Sequence, residues 1–200
     1  MLYDDVSVQD VVDSESTLEF MKEVTKLASS SELENIGQKL EEKSRLFQST
    51  LNPEAIDSMR EEDFSKVVGK IFSIRRKSKR LVKATGFKNL RAMVIELLYG
   101  KDPIEKRFNE FVNSIEKIDE KMRINFASEL LHFTDPKRNW LWTNWIWDPN
   151  ANTGSLPLII KENVDLSGVT NGDIYINVGD AMRSLNVVGQ SRSFSSIGKG

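Results

Sequence analysis

The chain has 200 residues, 39% of them hydrophobic and 29% charged, with a formal net charge of -2 and a pI of about 5.6. That length buries a core without covalent staples, and that charge gives no global field for nucleic acid. There is no cysteine, which excludes disulfides, thiolate chemistry and cysteine-held metal sites.

Residues 1–15 are acidic and weakly patterned and read as a flexible arm. They lack the basic-then-apolar layout of a signal peptide. No apolar run approaches the roughly 20 residues of a membrane span. The expectation is a soluble protein of the cytoplasm, with no membrane partner.

Ser16 and Glu19 have the spacing of a capping box, with Leu18, Met21, Thr25 and Ala28 behind them at helical intervals. Ser31 and Glu34 repeat the signal ahead of Leu33, Ile36, Leu40 and Phe47. Asn52-Pro53 predicts an N-cap followed by proline at the first helical position. Phe64, Val67, Val68, Ile71, Ile74, Ser78, Leu81 and Val82 then predict one continuous helix, closed by Gly86. A helix with Phe87, Leu90, Val94, Leu97 and Leu98 follows and stops at Gly100. Asp102-Pro103 opens another, with Ile104, Phe108, Phe111, Val112 and Ile115 on one face. Asp119 caps the last, which carries Met122, Phe126, Leu130, Leu131 and Phe133.

Beyond Pro149 the texture changes. Asn171-Gly172 is a hairpin signal, because both residues tolerate positive φ. Ile174, Ile176 and Val178 alternate after it, and residues 163–169 would be the partner strand. Gly179-Asp180 would open a short helix through Asn186. The Ser/Gly-rich residues 189–200 read as a disordered tail. The fold class expected is therefore α+β. A helical domain of about five or six helices spans residues 16–135, a Trp-rich connector 136–154 and a small β segment 155–188.

The stretch 132–149 holds the only histidine and all four tryptophans. His132 and Asp135 have the spacing of an oriented base, but a histidine at a helix C-terminus more often serves the last carbonyls. Trp140, Trp142, Trp145 and Trp147, with Arg138, are the candidate partner surface. Strand alternation would place the first two tryptophans on one face and the last two on the other. Arg75, Arg76, Lys77, Lys79, Arg80 and Lys83 would share the solvent side of the long helix and could hold phosphates. Asp148, Asn150, Asn152 and Gly154 space oxygens like the start of a calcium loop, but Ile159 stands where the closing glutamate belongs. An Asx-turn loop is the expectation there.

Residues 127–133, followed by Asp135-Pro136 and a downstream tryptophan, resemble helical segments of DNA-modification and phage-defence proteins. The glycine hairpin of helix-hairpin-helix DNA binders is missing between Ile118 and Phe126, so the resemblance implies no function here. No residue is assigned to catalysis, a cofactor or a metal. The expectation is a non-enzymatic interaction or adaptor protein working through the Trp-rich segment, with a protein partner or self-association. The alternative is nucleic-acid binding through the basic helix.

Overall fold

The computed structural model describes residues 11–116 and 118–196. Most of the expected 1–15 arm and the last four residues of the 189–200 tail lie outside them. Helix α1 (Ser14–Leu27) starts two residues before the predicted box, because the Asp13 carboxylate accepts from the N–H groups of Glu15 and Ser16. Helix α2 (Ser30–Leu51) is opened by a reciprocal capping box between Ser29 and Glu32, two residues before the expected pair Ser31 and Glu34. Its first half is exposed, and its second half buries Phe47 and Leu51. The Asn52 side chain caps the single turn α3 (Pro53–Ile56), as Asn52-Pro53 predicts.

The long helix expected over 64–82 is broken. It becomes α4 (Glu61–Gly69), a run of turns, and α5 (Ser78–Thr85). The turns are held by bonds such as Ile71 N–H to Val68 O and Lys77 N–H to Ile74 O. Such three-residue turns keep nearly the helical spacing, so Ile71 and Ile74 still reach the core. The periodicity was thus a true signal of burial and a false one of continuity. Gly86, at φ 83, ends α5 as expected. Helices α6 (Phe87–Tyr99), α7 (Ile104–Ser114) and α8 (Glu120–Thr134) stand close to their sequence boundaries.

The expected β-hairpin is overturned. The described residues contain no strand, only the isolated bridges Val12 with Ile160 and Asp148 with Thr153. Leu156–Leu158 is a 3₁₀ turn, and α9 (Asn171–Ser196) occupies the place of the hairpin and runs into the expected tail. The fold is helical, not α+β. The physical reason is local. Thr170 Oγ1 accepts from Asp173 N–H at 3.2 Å, while the Asp173 carboxylate accepts from Thr170 N–H at 2.8 Å. That reciprocal cap opens a helix at the residues that looked like a turn. Ile174, Val178 and Ala181 are then buried at helical intervals.

One core receives side chains from Val12 to Ala181. Phe108 of α7 lies between Tyr175 of α9, stacked at 4.4 Å, and Trp142 of the connector, stacked at 5.9 Å. Phe47 of α2 meets Phe133 of α8 at 5.5 Å, and Phe111 meets Phe126 edge-on at 5.3 Å. Rings at these separations add to the area they bury. The connector is therefore covered by helices on its inner side, which leaves its outer turn to face solvent.

Candidate functional site

The tryptophans do not divide by alternation, because the connector is a chain of turns rather than a strand. Trp142 and Trp147 are both buried. The Trp142 backbone N–H reaches Ser128 Oγ at 2.6 Å. Trp140 is half-buried, against the place where a side chain at Gly179 would stand, and its carbonyl accepts from the Tyr175 hydroxyl at 3.2 Å. Burial holds that phenol well above its ordinary pKa. Trp145 alone of the four is open, at 84% exposure. Arg138 is exposed and lies 3.6 Å from the Asp135 carboxylate.

Trp145 stands on a fixed loop. Its carbonyl accepts from Ser155 N–H at 2.9 Å, and Ile146 O accepts from Leu156 N–H at 3.0 Å. Asp148 and Thr153 exchange two backbone bonds below. Gly154, at φ 145, brings its backbone so close to the Ile146 carbonyl that a Cβ would collide with it. The Asx turn expected at Asp148 is present, with Asn150 N–H donating to Oδ1 at 3.1 Å. Lys121 Nζ donates to Asp148 Oδ2 at 2.5 Å, and this ammonium, helped by Asn144, holds the carboxyl below its usual range. Among the described residues no group of three or more His, Asp or Glu side chains could hold a metal ion.

Beside the loop lies an open groove of about 840 Å³. Its walls come from four separate parts of the chain: Phe72, Met122, Trp145 and Leu158. Phe72 is 71% exposed and Leu158 is 61% exposed. Arg75 stacks over the Phe72 ring at 4.6 Å and so stands at the lip. Ser73 and Asn125 are among the lining residues, with Ser73 Oγ and Asn125 Oδ1 shielded from solvent and without a hydrogen-bond partner. The size is that of a site for a side chain or small ligand, which runs to roughly 300–1,000 Å³. Sequence reasoning found Trp145 but not Phe72, Leu158 or Asn125, because nothing in their local sequence joins them.

The cations of the alternative site sit partly on the turns, at Arg75, Arg76 and Lys77, and partly on α5, at Lys79, Arg80 and Lys83. Lys77 pairs with Asp119 at 3.2 Å. Arg76, Lys79, Arg80 and Lys83 are exposed and make no ion pair among the described residues. Residues 64–95 carry cations from Lys66 to Arg91 and no carboxylate, while the whole chain has a net charge of -2. Positive charge is thus segregated onto the stretch of chain that contains Phe72.

His132 and Asp135 do not act on each other. His132 Nδ1 is 2.9 Å from the Asn139 carbonyl, a contact that puts the proton on Nδ1. Asp135 turns to Arg138. Burial lowers the His132 pKa below 6.5, with the Lys43 charge lowering it further and the Asn139 carbonyl opposing. Nearby, Lys43 of α2 pairs with the buried Glu129 of α8 and lies 4.0 Å over the Phe133 ring. These groups join α2 to α8. No helix among the described residues is long and apolar enough to cross a membrane. Comparison with family models, with curated protein sequences and with solved structures finds no match for the chain.

Proposed function

We propose that this chain is a non-enzymatic interaction module that docks an apolar side chain of a protein partner in the groove beside Trp145. One observation carries the proposal. Trp145, Phe72 and Leu158, large and apolar, stand exposed around one groove on a hydrogen-bonded scaffold. Large exposed apolar side chains gathered at one place mark contact surfaces, and aromatic anchors carry most of the binding energy there. The absence of cysteine supports a partner in the cytoplasm.

The test is selection of peptides from a random library on the folded chain. Selected peptides should bind about tenfold or more weakly after Trp145→Ala and after Phe72→Ala, with circular dichroism unchanged. Peptides that bind both variants as well as the parent would end the proposal.

The segregated charge favours a second reading, nucleic-acid binding through Arg75, Arg76, Lys77, Lys79, Arg80 and Lys83. Binding of labelled single-stranded DNA or RNA would then weaken steeply with salt. No binding at low ionic strength would remove this reading.

A further inference from the structure

We infer that the occupant of the groove is the first half of α2 from a second copy of the chain, an inference that rests on the groove being a docking site. The two surfaces are complementary in both apolarity and charge. Residues 31–42 of α2 are all exposed. Leu33, Ile36 and Leu40, between 42% and 51% exposed, follow at intervals of three and four and so form one stripe. Around that stripe stand Glu32, Glu34, Glu41 and Glu42 against the single cation Lys39.

The groove carries a cation at its lip. Its apolar walls are Phe72, Met122, Trp145 and Leu158, and Arg75 stands over the Phe72 ring, in a stretch of chain that also holds Arg76, Lys79 and Arg80 and no carboxylate. Among the described residues, both surfaces stand open to solvent. The apolar contact supplies the energy, and the segregated charges set the direction of approach and disfavour stripe on stripe or groove on groove.

The arm is also preformed. The second half of α2 is fixed by buried Phe47 and Leu51 and by the Lys43–Glu129 pair, so the first half is held out as a continuation of an anchored helix. Docking a rigid element avoids the ordering cost that a free peptide would bear. Reciprocal exchange, with each arm in the other's groove, uses both surfaces twice and closes as a two-fold dimer.

A mixing experiment on full-length chains tests this. Ile36→Glu disables the arm and keeps the groove, and Trp145→Ala disables the groove and keeps the arm. Both positions are exposed, so both variants should fold as the parent does, which circular dichroism checks. In analytical ultracentrifugation the parent should self-associate, and each variant alone should do so about tenfold or more weakly. An equimolar mixture of the two should recover association, because one intact arm still meets one intact groove. A parent that stays monomeric up to high micromolar concentration overturns the inference. So does a mixture no better than the separate variants. Library peptides that need Trp145, found together with a monomeric parent, would leave the docking groove standing and remove only the second copy from it. A monomeric parent that binds oligonucleotides in a salt-sensitive way would assign the cationic face to nucleic acid instead.

Discussion

The indole N–H of Trp142 donates to the main-chain carbonyl of Trp147 at 2.9 Å, with both residues buried. This bond ties two buried residues of the connector to each other, and the Trp142 backbone N–H joins them to Ser128 of α8, while Trp145, between them in sequence, is left outside. Trp142→Phe keeps a ring against Phe108 but strands the Trp147 carbonyl away from water. Removing one partner of a buried hydrogen bond costs about 1–3 kcal/mol. Trp145→Phe touches no such partner and should stay within about 0.5 kcal/mol of the parent. Urea unfolding of the two variants checks the contrast. Equal losses would mean that Trp142 and Trp145 do not differ in role as described.

Lys43 and Glu129 form the ionic link between α2 and α8 in surroundings that are otherwise aromatic. Burial raises the Glu129 pKa above 4.5, and Lys43 opposes that rise. Lys43→Met leaves the carboxylate buried without compensation, and breaking such a pair costs about 3–5 kcal/mol. The folded chain then holds the Glu129 proton to higher pH than the unfolded chain does. The resulting stability is present below the unfolded value and is lost as pH rises through the folded one. Lys43→Met should therefore lose less stability in mild acid than at neutral pH, relative to the parent. Urea midpoints at the two pH values measure this. A loss independent of pH would show that Glu129 is not the group left exposed to the change.

His132 has the opposite sign. Its folded pKa is lowered below 6.5, chiefly by burial, so the unfolded chain takes up the proton first as pH falls. The stability due to the neutral ring is present above the unfolded value and is lost as pH falls through the folded one. As the only histidine, its ring resonances are directly assignable. A nuclear magnetic resonance titration should place its midpoint below 6.5. A midpoint at or above that value would contradict a buried neutral ring donating to Asn139.

The helices were legible wherever the sequence carried both a stop and a start. Gly86, Gly100, Asp102-Pro103 and Asp119 stand at the ends of α6, α7 and α8, although Asp119 marks its helix by position alone: its carboxylate makes no cap hydrogen bond and pairs with Lys77. Residues 64–82 misled because a succession of short turns buries the same positions as a helix. Asn171-Gly172 misled for a different reason. Alternation at Ile174, Ile176 and Val178 and helical spacing at Ile174, Val178 and Ala181 coexist in the same residues. The cap between Thr170 and Asp173, readable as T-x-x-D, decides between them. The groove was legible only at Trp145, since its walls meet through tertiary packing alone.

That packing makes glycine at 172 a matter of space rather than of turn geometry. A Cβ there would collide with the backbone of Glu105, including its carbonyl oxygen, where the start of α9 crosses the start of α7. Helix propensity argues the other way, since Ala is favoured over Gly inside a helix by about 1 kcal/mol. A backbone cannot swing aside as a flexible side chain can, so the two helices would have to separate. Overpacking of this kind costs about 1–3 kcal/mol, which exceeds the propensity gain. Gly172→Ala should therefore destabilise the fold by urea unfolding. Gly37→Ala is the matched control, because a Cβ in the middle of α2 meets nothing within 4 Å and should add helix stability by about 0.5–1 kcal/mol. If Gly172→Ala instead stabilised the chain as Gly37→Ala does, α9 would not be seated on α7 at this residue, and the helix that replaces the expected hairpin would lose its principal support.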